Sequence, residues 1–145
     1  MSTVDAISRV KSQIQTYVQE NGAAVAISLD IANAFNSLPW CSILDAMEEL
    51  KFPDYLKEMV TAYLSNRTIM YINAEAKVQE RSILCGVPQG STLAAPLWNV
   101  GYNRVLKTPM PPKTQITGYA DDTIIVAGGR TIERAINRAE IAVAK

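Results

Sequence analysis

The sequence predicts a mixed α/β fold of the α+β type, in which an antiparallel sheet is backed by helices. Apolar residues recur at helical spacing near the first residues and again over residues 131–144. Two short apolar runs, at residues 23–31 and 124–126, are instead typical of strands. A chain of 145 residues is long enough for about one domain with a single core.

The composition is that of a globular domain. Of the residues, 48% are apolar and 19% are charged, which argues against disorder. The net charge is zero and histidine is absent, so the sequence offers no basic surface for binding nucleic acid through its phosphates. Cys41 and Cys85 predict no disulfide framework, and we interpret both as reduced and structural. No signal peptide or membrane-spanning run is visible, so we expect a soluble, intracellular protein.

The chain opens with a predicted amphipathic helix. Ser2 and Thr3 precede an acidic residue, which indicates a helix start, and Asn21-Gly22 supplies a stop. Because no strand precedes this helix, we expect the chain to be a segment of a larger protein. The apolar face of the helix is formed by Val4, Ile7, Val10, Ile14, Tyr17 and Val18.

The apolar run at 23–31 predicts a buried strand that ends in a carboxylate. Asp30 is the only charged residue in this run. A lone buried carboxylate is costly unless it is paired or binds a metal ion. Asp30 could equally cap a helix over residues 31–35, and the residues alone leave both interpretations open.

The middle of the chain predicts two helices followed by a hairpin. Pro39 and Pro53 each favour a helix start. Residues 68–72 and 78–84 are typical of two strands, joined by a loop at 73–77. The first helix has an apolar face of Ile43, Leu44, Met47 and Leu50, and the second is expected to turn inward Tyr55, Leu56, Met59, Val60, Tyr63 and Leu64.

Loop 85–92 is rich in glycine and proline. Gly86, Pro88 and Gly90 fix the backbone and leave it bare, so that a ligand can approach closely. A helix over residues 93–106 follows. A small-residue loop before a helix N-terminus suits an anionic or base-bearing ligand, although an ordinary strand-to-helix turn has the same pattern.

The last part of the chain predicts a hairpin with two adjacent carboxylates at its tip. Asp121 and Asp122 lie in a turn between Ile116 and residues 124–126. Adjacent like charges repel one another unless a cation lies between them, which favours a divalent metal site. A solvated turn is the alternative, because Asp is a common turn residue. The final helix, over 131–144, is expected to have one face formed by Ile132, Ala135, Ile136 and Ala139.

Three motifs follow one another along the chain. They are Ser28-Leu29-Asp30-Ile31-Ala32-Asn33-Ala34-Phe35-Asn36-Ser37, Gly86-Val87-Pro88-Gln89-Gly90-Ser91 and Tyr119-Ala120-Asp121-Asp122. Flanking stretches belong with them, at Ser37-Leu38-Pro39-Trp40 and Pro96-Leu97-Trp98-Asn99. In this order the motifs resemble the reverse transcriptase domain of non-LTR (LINE-type) retrotransposons of the arthropod type. Each motif alone is moderately specific, whereas the ordered set is highly specific and covers essentially the whole chain.

The resemblance implies a polymerase palm within an incomplete reverse transcriptase fold. Asp30 and Asp121, supported by Asp122, would be catalytic and would hold two Mg²⁺ or Mn²⁺ ions, which prefer carboxylate oxygens. Phe35 stands where the family has a bulky gate against the 2′-hydroxyl of ribonucleotides, and a plain core phenylalanine is the alternative. The substrate-binding residues that the resemblance implies are Phe35, Gln89, Gly90, Tyr119 and Ala120.

The same resemblance implies partners and a larger context. Residues 1–145 would comprise the end of the fingers and the palm of a retrotransposon polyprotein, with the thumb, most of the fingers and any endonuclease elsewhere. The partners would be an RNA template, a DNA primer and deoxynucleoside triphosphates, and no membrane would be involved. The intact protein would be located in the nucleus and cytoplasm. We expect the helix faces that other domains would cover to be bare, at Ile7, Val10 and Ile14 or at Ile132 and Ile136.

Alternatives from other functional classes remain open. One is a catalytically inactive retroelement remnant or a palm-like nucleic-acid-binding module, although intact Asp30, Asp121 and Asp122 argue against decay at the metal site. Another is a palm-fold nucleotidyl cyclase, which also uses metal-bound carboxylates. The Pro88-Gln89-Gly90 loop and the Asp121 turn favour a polymerase.

Overall fold

The computed structural model describes residues 2–145, which form two compact units. The discontinuous unit combines residues 2–31 with Val105–Lys145, and the continuous unit is Ala32–Arg104. No helix within residues 2–145 is both long and apolar enough to cross a membrane. The elements, in chain order, are α1 (Thr3–Asn21), β1 (Ala23–Leu29), α2 (Ala34–Ser37), α3 (Trp40–Glu49), α4 (Asp54–Leu64), β2 (Thr68–Ile72), β3 (Val78–Ser82), α5 (Ala94–Leu106), β4 (Thr114–Tyr119), β5 (Asp122–Gly129) and α6 (Ile132–Val143).

Helix α1 begins and ends where its sequence predicts. The Ser2 hydroxyl accepts a hydrogen bond from the backbone N–H of Asp5 at 3.2 Å, and the Asp5 carboxylate accepts one from the Ser2 N–H at 2.7 Å. This reciprocal capping box satisfies two backbone donors that the first turn leaves free. Gly22 ends the helix with a φ of 95°, a conformation that favours glycine.

The discontinuous unit is built on a three-stranded antiparallel sheet in the order β1-β5-β4. A Cβ built on Gly128 would lie 2.8 Å from Cγ of Tyr17 in α1, and one built on Gly129 would lie 2.6 Å from the backbone nitrogen of Ala135 in α6. Because successive strand residues point to opposite faces, α1 and α6 cover opposite faces of β5. The predicted sheet backed by helices is therefore confirmed, and the two glycines allow both helices to approach closely.

Strand β1 is less buried than its apolar sequence predicts. It ends at Leu29, and both Ala26 and Ser28 are exposed. The reason is its position: β1 lies at the edge of the sheet, whereas β5 is central and buried over most of its length. The predicted strand is therefore confirmed over Ala23–Leu29, but its predicted burial is wrong, because small alanines suit a half-covered edge as well as a core.

Helix α6 packs on the sheet through alanines rather than isoleucines. Ala135 and Ala139 are buried, whereas Ile132 is 63% exposed and Ile136 is 41% exposed. Small side chains permit the close approach to β5, and this approach leaves both isoleucines facing outward. Ile7 of α1 is likewise 64% exposed, so the expected bare apolar positions are confirmed at these three isoleucines. Val10 and Ile14, which were expected with them, are half-buried.

In the continuous unit, helix α4 buries a narrower face than predicted. Leu64 is buried, but Tyr55 and Met59 are each 62% exposed. Lys57 of α4 forms an ion pair with Glu48 of α3. Contact with α3 along one side therefore leaves the opposite side of α4 in solvent.

Strands β2 and β3 form a separate antiparallel ribbon, as predicted. Thr68 lies opposite Ser82, and every residue of both strands is exposed. The Asn73 side chain closes the connecting loop by accepting hydrogen bonds from the N–H groups of Glu75 and Lys77, at 3.1 and 2.9 Å. The hairpin is thus held together by the pairing of its two strands and by the hydrogen bonds within its loop.

Candidate active site

One end of the three-stranded sheet carries the three carboxylates that the sequence predicts as metal ligands. Leu29, the last residue of β1, lies opposite Thr123 of β5 in the antiparallel register. Asp30 directly follows Leu29, while Asp121 and Asp122 directly precede Thr123. The pairing therefore brings all three to the same end of the sheet, which we call the carboxylate end.

The turn between β4 and β5 is as tight as predicted. Tyr119 lies opposite Asp122, so that Ala120 and Asp121 alone form the turn. The φ of Ala120 is 55°, in the left-handed region that costs an L-residue about 1–2 kcal/mol. Two-residue hairpins require such positive φ values because of the twist of the strands they join. The backbone therefore holds Asp121 at the tip of the hairpin.

In the described part of the chain, no ion pair offsets the negative charge at the carboxylate end. Asp30 and Asp122 are exposed, and Asp121 is half-buried. Within residues 2–145, the salt bridges are made by Lys57 and Arg104 and none includes these three carboxylates. Clustered carboxylates without a protein cation are suited to binding a cation from solution.

Asp30 has neither of the structural roles that a solitary carboxylate would usually fill. It is exposed rather than buried, and it lies outside both β1 and α2. The N-cap of α2 is Asn33. The helix-capping interpretation of Asp30 is therefore wrong.

The donor chemistry of the carboxylate end fits Mg²⁺ or Mn²⁺, which prefer carboxylate oxygens. In the part of the chain that the structure describes, no three His, Cys, Asp or Glu side chains are arranged to hold a metal ion on their own. A complete protein cage is not required, because Mg²⁺ is usually bound by one or two carboxylates, waters and substrate phosphates. The residues fit such an ion by type and by position in the sheet.

Tyr119 lies beside a cavity that sequence reasoning did not anticipate. Its hydroxyl accepts a hydrogen bond from Oγ1 of Thr3 at 3.0 Å. The cavity measures about 290 Å³ and is lined by α1 and the neighbouring sheet face, including Ile7, Ser28 and Asp122. Thr3 was interpreted only as part of a helix start, and no local pattern could have shown that α1 reaches the final hairpin.

In the continuous unit, the predicted substrate loop is fastened to the segment that contains Phe35. The N–H of Val87 donates to the carbonyl oxygen of Phe35 at 2.6 Å. Trp40, identified from the sequence only as part of a motif, donates through Nε1 to the carbonyl oxygen of Gly86 at 2.8 Å. Gln89 and Gly90 are exposed further along the loop. Two predicted substrate-binding segments are thus joined by hydrogen bonds.

Phe35 combines the features of a core residue and of an accessible one. Its ring centroid lies 5.5 Å from that of Trp98, with an angle of 31° between the planes. Trp98 in turn stacks on Tyr102 at 5.2 Å. Phe35 is nevertheless half-buried rather than buried, so its packing against Trp98 does not enclose the residue fully.

Comparisons with known proteins identify the family that this chain matches. Residues 2–143 match the family described as reverse transcriptase (RNA-dependent DNA polymerase). The chain is 30% identical over 111 residues to the retrovirus-related Pol polyprotein from type-1 retrotransposable element R2 of Bradysia coprophila, an alignment that covers 68% of this chain and 12% of that protein.

Two further similarities extend this result. The RNA-directed DNA polymerase from mobile element jockey of Drosophila melanogaster is 29% identical over 140 residues, covering 90% of this chain and 15% of that protein. This chain therefore spans only about 12–15% of the length of these relatives. Apo telomerase from Candida tropicalis, truncated from its C-terminal domain, aligns with a TM-score of 0.72 and 12% identity, over 99% of this chain and 32% of that one. The likeness to telomerase supports the fold alone.

Proposed function

This chain belongs to the reverse transcriptase (RNA-dependent DNA polymerase) family, and we propose that it is the nucleotidyl-transfer core of an RNA-directed DNA polymerase. The observation that supports this most is the convergence of Asp30, Asp121 and Asp122 at one end of one sheet. Its relatives are polyproteins of arthropod non-LTR retrotransposons, which favours a source of the same class.

Reverse transcriptases use divalent metal ions, and the carboxylate end is where we place them. Asp30 and Asp121 would hold two Mg²⁺ or Mn²⁺ ions, with Asp122 in support. Bound there, the ions would stabilise negative charge on the phosphoryl oxygens during an in-line displacement. The chain's own contribution is positional: β1 supplies one carboxylate and the tight turn supplies the others, so the pairing of β1 with β5 sets their separation.

The remaining candidates would position primer, template and nucleotide. Tyr119 and Ala120 flank the carboxylates in the same hairpin, where they would lie against the primer end. Gln89 and Gly90 are exposed and would contact the incoming nucleotide and the template. Phe35 would act as the gate against a 2′-hydroxyl, because its ring is held on one side by Trp98.

The partners of this function would be an RNA template, a DNA primer and deoxynucleoside triphosphates. With Lys plus Arg equal to Asp plus Glu, at 14 each, this chain has little net attraction for phosphates. Other parts of the polyprotein, the fingers, the thumb and an endonuclease, would supply that attraction. The nucleus and cytoplasm are the compartments that this function predicts.

The proposal is tested by Asp121→Asn in the full-length polyprotein that contains this chain. Because a bound metal ion contributes several kcal/mol to charge stabilisation, primer extension on an RNA template should fall at least about 100-fold. Glu140→Gln, an exposed carboxylate-to-amide change on α6, is the matched control and should extend primers like the wild type. Extension that survives Asp121→Asn would contradict the proposal, and a wild type without activity would favour the inactive remnant.

A further inference from the structure

Tyr63 of α4 reaches the end of loop 86–91 that leads into α5. Its hydroxyl donates a partly buried hydrogen bond to Oγ of Ser91 at 2.8 Å. The same Oγ accepts from the N–H of Leu93 at 3.2 Å, and the Ser91 N–H donates to the carbonyl oxygen of Pro88 at 3.1 Å. Through Ser91, Tyr63 therefore fixes both the end of the loop and the approach to the helix.

The surroundings of Tyr63 favour this contact. The guanidinium carbon of Arg67 lies 5.0 Å from the centroid of the Tyr63 ring. A cation over the ring face holds the ring in place, so the hydroxyl is directed toward Ser91.

Trp40 holds the other end of the loop. Its indole N–H donates to the carbonyl oxygen of Gly86 at 2.8 Å, and the Gly86 N–H donates to the carbonyl oxygen of Leu38 at 2.8 Å. A Cβ built on Gly86 would lie only 2.8 Å from Cα of Asn36. This end of the loop is therefore pressed against neighbouring backbone as well as hydrogen-bonded.

The part of the loop between these ends is open. Gln89 and Gly90 are exposed, and a Cβ built on Gly90 would meet no atom of the described chain within 4 Å. The conformation of this exposed part consequently depends on the two ends that hold it.

We propose that Tyr63 and Trp40 are positioning residues, which hold loop 86–91 so that Gln89 and Gly90 meet the incoming nucleotide in one conformation. This inference rests on the proposed function of the loop. Tyr63 and Trp40 act through Ser91 and through Gly86, and not by touching the substrate. When one anchor is lost, the loop must be ordered each time a nucleotide binds, so nucleotide affinity falls more than the rate of bond formation.

The first test uses Tyr63→Phe in the full-length polyprotein. This change removes the hydroxyl and keeps the ring that packs against Arg67. The loss of one hydrogen bond, worth about 0.5–1.5 kcal/mol, predicts a rise of roughly 2- to 12-fold in KM for deoxynucleotides, with kcat changed by less than about twofold. Tyr55→Phe removes the same hydroxyl from the same helix at a site that is 62% exposed, and its KM should match the wild type.

A double-mutant cycle assigns the effect to the contact itself. Ser91→Ala should raise KM at least as much, because it also removes the hydrogen bond from the Leu93 N–H. Adding Tyr63→Phe to Ser91→Ala should raise KM no further, because the contact between Tyr63 and Ser91 is already lost. Trp40→Phe acts at the opposite end, so it should raise KM independently. Fully additive effects of Tyr63→Phe and Ser91→Ala would overturn the proposed link.

Hydrogen exchange supplies a readout that needs no catalysis. The backbone N–H groups of residues 87 and 89–92 should exchange faster in Tyr63→Phe than in Tyr55→Phe, with no change in the β1-β5-β4 sheet. Unchanged loop exchange, or faster exchange with an unchanged KM, would overturn the positioning role. Extension that survives Asp121→Asn would instead refute the proposed function, and the exchange measurement would still decide whether Tyr63 holds the loop.

Discussion

Gly86 and Gly90 have nearly the same φ, but they differ in how much space surrounds them. Their φ values are 87° and 86°, a conformation in which a residue with a side chain would be strained. A Cβ on Gly86 would also lie 2.8 Å from backbone of Asn36, whereas a Cβ on Gly90 would be in open space. Only one of the two glycines is therefore required by packing.

Alanine substitutions should separate these two effects. Gly90→Ala should lower the free energy of unfolding by about 1–2 kcal/mol, the cost of left-handed backbone. Gly86→Ala should cost at least about 1–3 kcal/mol more, because backbone must also move to relieve the overlap. Urea unfolding of the two variants measures this difference. An equal decrease in the free energy of unfolding would show that the backbone at Asn36 moves aside without cost.

Phe35 also makes a prediction at the scale of one residue. In the full-length polyprotein, Phe35→Ala should raise ribonucleotide incorporation relative to deoxynucleotide, since the ring that would meet the 2′-hydroxyl is removed. Phe52→Ala is the control, because Phe52 is the other phenylalanine of the chain and is also half-buried. If circular dichroism shows a folded Phe35→Ala variant with wild-type selectivity, Phe35 is a packing residue only.

Residue types, together with the resemblance of the motifs, indicated the candidate site but not its surroundings. Asp30 and Asp121 stood out because carboxylates are unusual beside apolar strands. The contact between Thr3 and Tyr119 could not be found in this way, since it joins opposite ends of the sequence and depends on where α1 packs. Tyr63 was missed for a related reason: an aromatic residue at helical spacing predicts a core position.

At the scale of elements, bounds were predicted better than burial. Helix α1 begins at a capping box and ends at a glycine, both of which are local signals. Burial depends on neighbours that local patterns do not identify. Thus β1 proved to be an edge strand, and α6 turned Ile132 and Ile136 outward so that its alanines could approach β5.

The α1 capping box should make stability depend on pH. The pKa of Asp5 is lowered, first by the hydrogen bond from the Ser2 backbone N–H and then by the Ser2 hydroxyl. A lowered folded-state pKa gives a contribution that is complete above the unfolded value of about 3.9 and is lost as pH falls through the folded value. Asp5→Asn should therefore lower Tm near neutral pH, and this difference from the wild type should shrink in strong acid.

Thermal unfolding followed by circular dichroism at a series of pH values measures this effect. Glu140→Gln serves as the control for removing a surface carboxylate elsewhere on a helix. A difference between Asp5→Asn and the wild type that stays constant down to about pH 2 would contradict a role for the ionised Asp5 carboxylate.

For the whole molecule, we expect that this chain alone extends no primer measurably. Phosphoryl transfer depends on positioning as well as on charge stabilisation, and a chain with no net charge attracts nucleic acid weakly. Exposed isoleucines, such as Ile7 and Ile132, should also promote self-association. The chain and its Asp121→Asn variant should show the same background level of primer extension. Light scattering should detect oligomers of the chain. Extension by the wild-type chain that Asp121→Asn abolishes would show that the palm is self-sufficient.

The carboxylate end belongs to a unit whose two halves are separated by Ala32–Arg104. During translation, β1 and Asp30 are therefore synthesised before Ala32–Arg104. Strand β1 cannot pair with β5 until that segment and β5 itself have been synthesised. At about 5–20 residues per second the delay lasts seconds, during which the edge of β1 is open to other chains. A polypeptide that stops before β5 contains Asp30 without the strand that positions it. Only a polypeptide translated beyond β5 can therefore form the assembled carboxylate end.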